Sequence, residues 1–142
     1  MKPYKLLPDI AVADIAYEAY GKDLKELFTH AAIALLDIMA NRKTVKGTTK
    51  KKITLKNKAV DDLLFDFLNE IIFLKDTAYM VFHTVKVVIT EKNGYSLQAE
   101  LIGETIQPEK HDLGNDVKAM TMHQYEVKQT TTRWKARIVV DI

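Results

Sequence analysis

The chain has 142 residues, a formal net charge of +2 and no cysteine. A chain of this length buries about two-thirds of its unfolded surface around one core, so residues 1–142 are read as a single domain. The absence of cysteine excludes a thiol nucleophile and every thiolate metal site and accords with a reducing cytosol, while the small net charge does not by itself imply nucleic acid.

Met1-Lys2-Pro3-Tyr4 opens the chain without the apolar run of a secretory signal, and no stretch nears the roughly 20 apolar residues of a membrane span. The protein is therefore expected to be soluble and cytoplasmic, with no membrane contact. Residues 14 to 20 alternate, with Ile15, Tyr17 and Ala19 on one side and Asp14, Ala16 and Glu18 on the other, which predicts a half-buried strand ended by Gly21. Asp23 can cap a following helix, with Glu26 as its reciprocal partner. Leu24, Leu27, Phe28, Ala31, Leu35 and Met39 then recur at helical spacing up to about Ala40.

Arg42, Lys43, Lys46, Lys50, Lys51, Lys52, Lys56 and Lys58 follow with no acidic residue among them, and Ile53 and Leu55 mark a short strand within this basic segment. A second helix is predicted from near Asn57. Asp61 and Asp62 favour the positive end of its dipole, and Val60, Leu63, Leu64, Phe67, Leu68, Ile71 and Ile72 form its buried face. Both helices are expected to pack on one sheet. Val81 to Thr90 and Tyr95 to Ile102 read as a hairpin turned at Asn93-Gly94, residues suited to positive φ. Residues 104 to 115 read as a loop. Val117 to Val127 and Trp134 to Asp141 alternate around the polar turn Lys128 to Thr132 as a second hairpin. The fold class is α+β: a mainly antiparallel sheet with two amphipathic helices.

No glycine-rich phosphate loop, paired-histidine metalloprotease helix or nucleophile elbow is present, and Ser96 is the only serine. Nucleophilic catalysis is thus unattractive, and the protein is read as not an enzyme. Carboxylates offer a different chemistry. Asp14 and Glu18 share a strand face but lie roughly 13 Å apart, too far for one ion. Asp141 lies opposite the apolar face of the last strand, with a terminal carboxylate at Ile142 one residue beyond. Were the first and last strands neighbours, Asp14, Asp141 and Ile142 would supply oxygens suited to a hard cation; otherwise Asp14 caps a turn and Asp141 is a solvated residue.

His123 falls on a strand face with Val117, Ala119 and Tyr125, which fits a buried histidine, with metal or proton chemistry as the sharper reading. His111 reads as more exposed. Lys118 lies on the opposite face, where it either snorkels or meets a partner. The basic segment could track phosphates, yet lacks aromatics for stacking bases.

Together Ala13-Asp14-Ile15-Ala16-Tyr17-Glu18-Ala19-Tyr20-Gly21, the helix from Leu24 through Met39, Asp66-Phe67-Leu68-Asn69-Glu70-Ile71-Ile72-Phe73-Leu74, Gly103-Glu104, Lys118-Ala119-Met120-Thr121-Met122-His123 and Val139-Val140-Asp141-Ile142 resemble the archease family over nearly the whole chain. The resemblance implies an archease-like fold and a non-catalytic factor that promotes guanylylation and multiple turnover of the RtcB-type RNA ligase of tRNA splicing, with modulation of a tRNA cytosine-5 methyltransferase as an alternative; direct RNA binding through Arg42 to Lys58 is a further alternative, read from the basic segment and not from the resemblance. It maps an acidic metal site onto Asp14, Asp141 and Ile142, for Ca²⁺ first and Mg²⁺ second, and makes Lys118, His123 and Glu104 candidate partner contacts. RNA contact would be indirect or weak. The family pattern His-Thr-Ala-Asp is replaced here by Ala11-Val12-Ala13-Asp14, leaving the aspartate with different neighbours.

Overall fold

The computed structural model describes residues 2–8 and 14–142. Its elements are β1 (Tyr4–Leu6), β2 (Asp14–Gly21), α1 (Leu24–Met39), β3 (Thr49–Asn57), α2 (Val60–Ala78), β4 (Met80–Glu91), β5 (Tyr95–Thr105), β6 (Ala119–Met120), β7 (Glu126–Gln129) and β8 (Trp134–Asp141). They form two sheets rather than the expected one. The first runs β1-β2-β8-β6 with β7 also paired to β8, and the second runs β3-β5-β4. Alternation shows which face of a strand is buried, but not which strand it bonds, so the division into two sheets has no local signature.

The helices are buried against both sheets: α1 packs on β2 and β4, and α2 packs on β3, β4 and β5 and on β6 and β7. Their apolar stripes meet where Phe28 and Phe67 stack with ring centroids 6.0 Å apart. Tyr17, fully buried in β2, donates its hydroxyl to the Ala31 carbonyl at 3.0 Å, so the one polar atom it brings into the core is satisfied. Asp23 caps α1 by accepting from the Glu26 N–H at 2.9 Å. Glu26 reaches back one residue further than a capping box requires, to the Lys22 N–H at 3.2 Å.

Two segments depart from the sequence reading. Helix α2 begins at Val60 because Asn57 still pairs with Tyr95 in the second sheet, and its side chain accepts from the Ala59 N–H. The predicted strand from Val117 to Val127 is broken into β6 and β7. Thr121 bonds Val139 through both its N–H and its hydroxyl, its Oγ1 also accepts from the His123 N–H, and Gln124 turns the chain at φ 52°. A threonine that supplies its own backbone with a partner favours a turn over a ladder. The Asn93-Gly94 turn is as predicted, with φ values of 53° and 105°.

Candidate metal centre

The antiparallel pairing of β2 with β8 sets Asp14 directly opposite Asp141, and continues through Ile15 with Val140 to Gly21 with Trp134. Directly opposed residues have Cα atoms roughly 4.5 to 5.5 Å apart and their side chains on one face. On its other edge β8 pairs with β6, where Ala119 opposes Asp141 and the Lys118 N–H donates to the Asp141 carbonyl at 2.8 Å. The first and last residues of these two strands therefore meet at one end of the sheet, next to Ile142. Neither Asp14 nor Asp141 forms an ion pair among the described residues. Like charges directly opposed across a ladder repel, and a shared cation would relieve this.

The donor set is hard oxygen and incomplete. Among the described residues no cluster of three or more histidine, aspartate and glutamate side chains surrounds one point. Two carboxylates and a main-chain oxygen of Ile142 fit a cation that takes its remaining ligands from water or a partner. They do not make a closed cage. Ala11, Val12 and Ala13, where the sequence departs from the family pattern, lie outside the described residues.

Glu18 belongs to different chemistry. It accepts from the Tyr20 hydroxyl at 2.9 Å and lies 3.6 Å from Lys135 and 3.8 Å from Arg137. Lys5, Glu18, Arg137 and Glu126 fall in one register row across four strands, so charge alternates along it. This ladder holds the sheet some distance along from the acidic end.

The other candidates separate from the acidic pair. Glu104 is buried beside the second sheet, where one carboxylate oxygen accepts from the backbone N–H groups of Lys46 and Gly47 and the other from Lys110. The Lys110 ammonium first, and then the two backbone donors, hold its carboxyl down to about 2 against the opposition of burial. Its side chain is thus committed to internal bonds, a correction to its reading as a partner contact. His111 is fully enclosed rather than exposed: its Nδ1 accepts from the Gln107 N–H at 2.9 Å and its Nε2 lies 3.5 Å from Glu104. His123 is exposed in the turn after β6, not buried on a strand face, because Thr121 ends the strand. Lys118 is exposed, one residue before β6.

Sequence reasoning missed Lys75. Its side chain is about nine-tenths buried at the end of α2 and donates to Asp116 at 2.6 Å and to the Val117 carbonyl at 2.7 Å, with Asp76 also at 2.6 Å. Burial alone would push its amine down; Asp116 and Asp76 outweigh that and raise it. This clamp fixes the start of the segment that carries Lys118 and β6 to Asp141. Its only sequence signal is a lysine on an otherwise apolar helical stripe.

Residues 4–142 match the archease protein family. The chain is 37% identical over 132 residues to protein archease of Methanosarcina barkeri, covering 92% of this chain and 90% of the relative. It is also 37% identical to protein archease of Thermococcus kodakarensis, covering 92% and 93%. The fold superposes on the solution structure of Methanobacterium thermoautotrophicum protein 1598 with a TM-score of 0.83 and 29% identity over the whole of both chains. A crystal structure from Thermotoga maritima, described as an archease and possible chaperone, shares the fold with a TM-score of 0.64 at 22% identity over 96% of each chain. The protein has the α+β fold of these structures, with two helices packed on antiparallel sheets. The chain belongs to the archease family.

Proposed function

We propose that the protein is a non-catalytic accessory factor that activates an RtcB-type RNA ligase in tRNA splicing, promoting its guanylylation and multiple turnover through a divalent cation at the end of the first sheet. The observation that carries the cation site is the opposition of Asp14 and Asp141 on neighbouring strands without an ion-pair partner among the described residues. Ca²⁺ suits it best, since Ca²⁺ accepts a loose, oxygen-rich shell completed by water. When bound, the cation supplies positive charge that complements a phosphate. The protein's own residues would hold that charge in place on a rigid ladder, and preorganised charge is effective because it needs no rearrangement during phosphoryl transfer.

The ligase role rests on family membership together with this geometry. It is tested by replacing Asp14 or Asp141 with Ala, checking the fold by circular dichroism, and measuring ligase guanylylation and turnover. Loss of stimulation is expected in both variants. Undiminished stimulation by a folded variant would sink the reading.

A further inference from the structure

The second sheet turns one face to α1 and α2 and the other to solvent. On the outward face β3 presents Lys50, Lys52, Thr54 and Lys56, β5 presents Ser96, Gln98, Glu100 and Ile102, and β4 presents Thr84, Lys86, Val88 and Thr90, in rows set by the register. One row reads Lys52, Glu100, Lys86, and another Thr54, Gln98, Val88. Lys58 and Lys92 extend this face beyond the strand ends. Lys50, Lys52, Lys56, Lys58, Lys86 and Lys92 are all exposed, and none forms an ion pair among the described residues.

The face is shaped as well as charged. A shallow concavity of about 410 Å³ is lined by Lys52, Thr54, Lys86, Val88, Gln98 and Glu100. A second, of about 490 Å³, has Lys56, Lys58, Lys92, Asn93, Tyr95 and Ser96 on its walls. The whole chain carries only +2, so this concentration of lysine leaves the rest of the molecule net acidic. The acidic end of the first sheet and the basic face of the second are thus opposite poles in charge.

We infer that the outward face of β3, β5 and β4 binds the phosphodiester backbone of single-stranded RNA, independently of sequence. Lysines two residues apart on a strand repeat about every 6.7 Å, a ladder of point charges that can follow a chain of phosphates. A protein partner fits less well, because protein interfaces favour aromatic residues and arginine and are depleted of lysine. The outward strand residues include no arginine, and the one aromatic beside them is Tyr95 on the wall of the second concavity. Thr54, Thr90, Ser96 and Gln98, framed by the lysines, offer hydrogen-bond partners to a 2′-hydroxyl, which distinguishes RNA from DNA. This inference is independent of the cation site and of the ligase reading.

The test is fluorescence anisotropy with a labelled twelve-nucleotide oligouridine and the 142-residue chain. If four phosphates are engaged, the slope of log K against log salt is about −2.8, so that a fourfold rise in salt weakens binding about 50-fold. The variant K50Q/K52Q/K56Q/K86Q should lose about tenfold or more in affinity and flatten that slope. E100Q, which removes the carboxylate from the middle of the face, should bind more tightly, and K128Q/K135Q on the other sheet should bind as the unaltered protein does. Unchanged affinity in both K50Q/K52Q/K56Q/K86Q and E100Q would overturn the inference. Equal affinity for oligothymidine would overturn the assignment to RNA, and tighter binding of a polyglutamate peptide of matched charge than of oligouridine would assign the face to an acidic protein instead. D14A/D141A should retain full RNA affinity, which separates this outcome from any failure of the ligase reading.

Discussion

Two carboxylates at opposite ends of the sequence, Asp14 and Asp141, become direct neighbours, whereas Glu104, near neither, is consumed inside the protein. Alternation made legible the face of each aspartate and its place at a strand end, but not that the two strands are neighbours. The burial of Glu104 was not legible either, since its backbone donors at Lys46 and Gly47 come from a segment 57 and 58 residues away. Its lowered pKa makes a pH prediction. A carboxyl held at about 2 when folded, against 4.5 ordinarily, stabilises the fold above about pH 4.5 and ceases to do so as the pH falls towards 2. Thermal melts should therefore show E104Q less stable than the unaltered protein at pH 7, with the two converging near pH 2. A gap that persists at pH 2 would mean that the loss comes from packing. Lys75 was equally illegible, because Asp116, its partner 41 residues on, has nothing in its local sequence to mark it.

Strands and helices were read more completely than the bonds between them. The hairpin of β4 and β5, the cap of α1 and the full extent of β8 follow from local turn chemistry and alternation. What that reasoning does not reveal is the bulge in β4, where the register shifts between Phe82 and Thr84. Gly103 opposes it so closely that an added Cβ would lie 1.9 Å from the Val81 carbonyl oxygen. The Gly103-Glu104 pair thus has two structural duties: close approach at the bulge and capture of the Lys46-Gly47 backbone before β3. Replacing Gly103 with Ala should destabilise the fold by about 3 kcal/mol, measured by urea denaturation. At the end of α2, Tyr79 adopts φ 53° and ψ 54° with about half its surface exposed. A glycine there relieves a left-handed conformation that costs a side-chain-bearing residue about 1 kcal/mol, so Y79G should raise the urea midpoint. A lowered midpoint would show that the tyrosine ring contributes more than its backbone costs.

At the scale of the whole molecule, the two sheets differ in charge: one carries a carboxylate pair at its end and the other a lysine-rich face. The division was hidden because pairing between distant strands leaves no periodicity in either. A cation that binds only the folded form stabilises it by about 2.7 kcal/mol at a hundred times its dissociation constant. Ca²⁺ should accordingly raise the melting temperature of the unaltered protein but not that of D141A; equal shifts in both would place the ion elsewhere. Strand β8 holds the first sheet together, with β2 on one edge and β6 and β7 on the other, yet it follows every other element in sequence. On the ribosome, the hairpin of β4 and β5 can form and add β3 while residues 134–141 are still being made. The alignment of Asp14 with Asp141 becomes available only when synthesis has passed β8. A chain that stops short of β8 holds the lysine-rich strands but not the carboxylate pair.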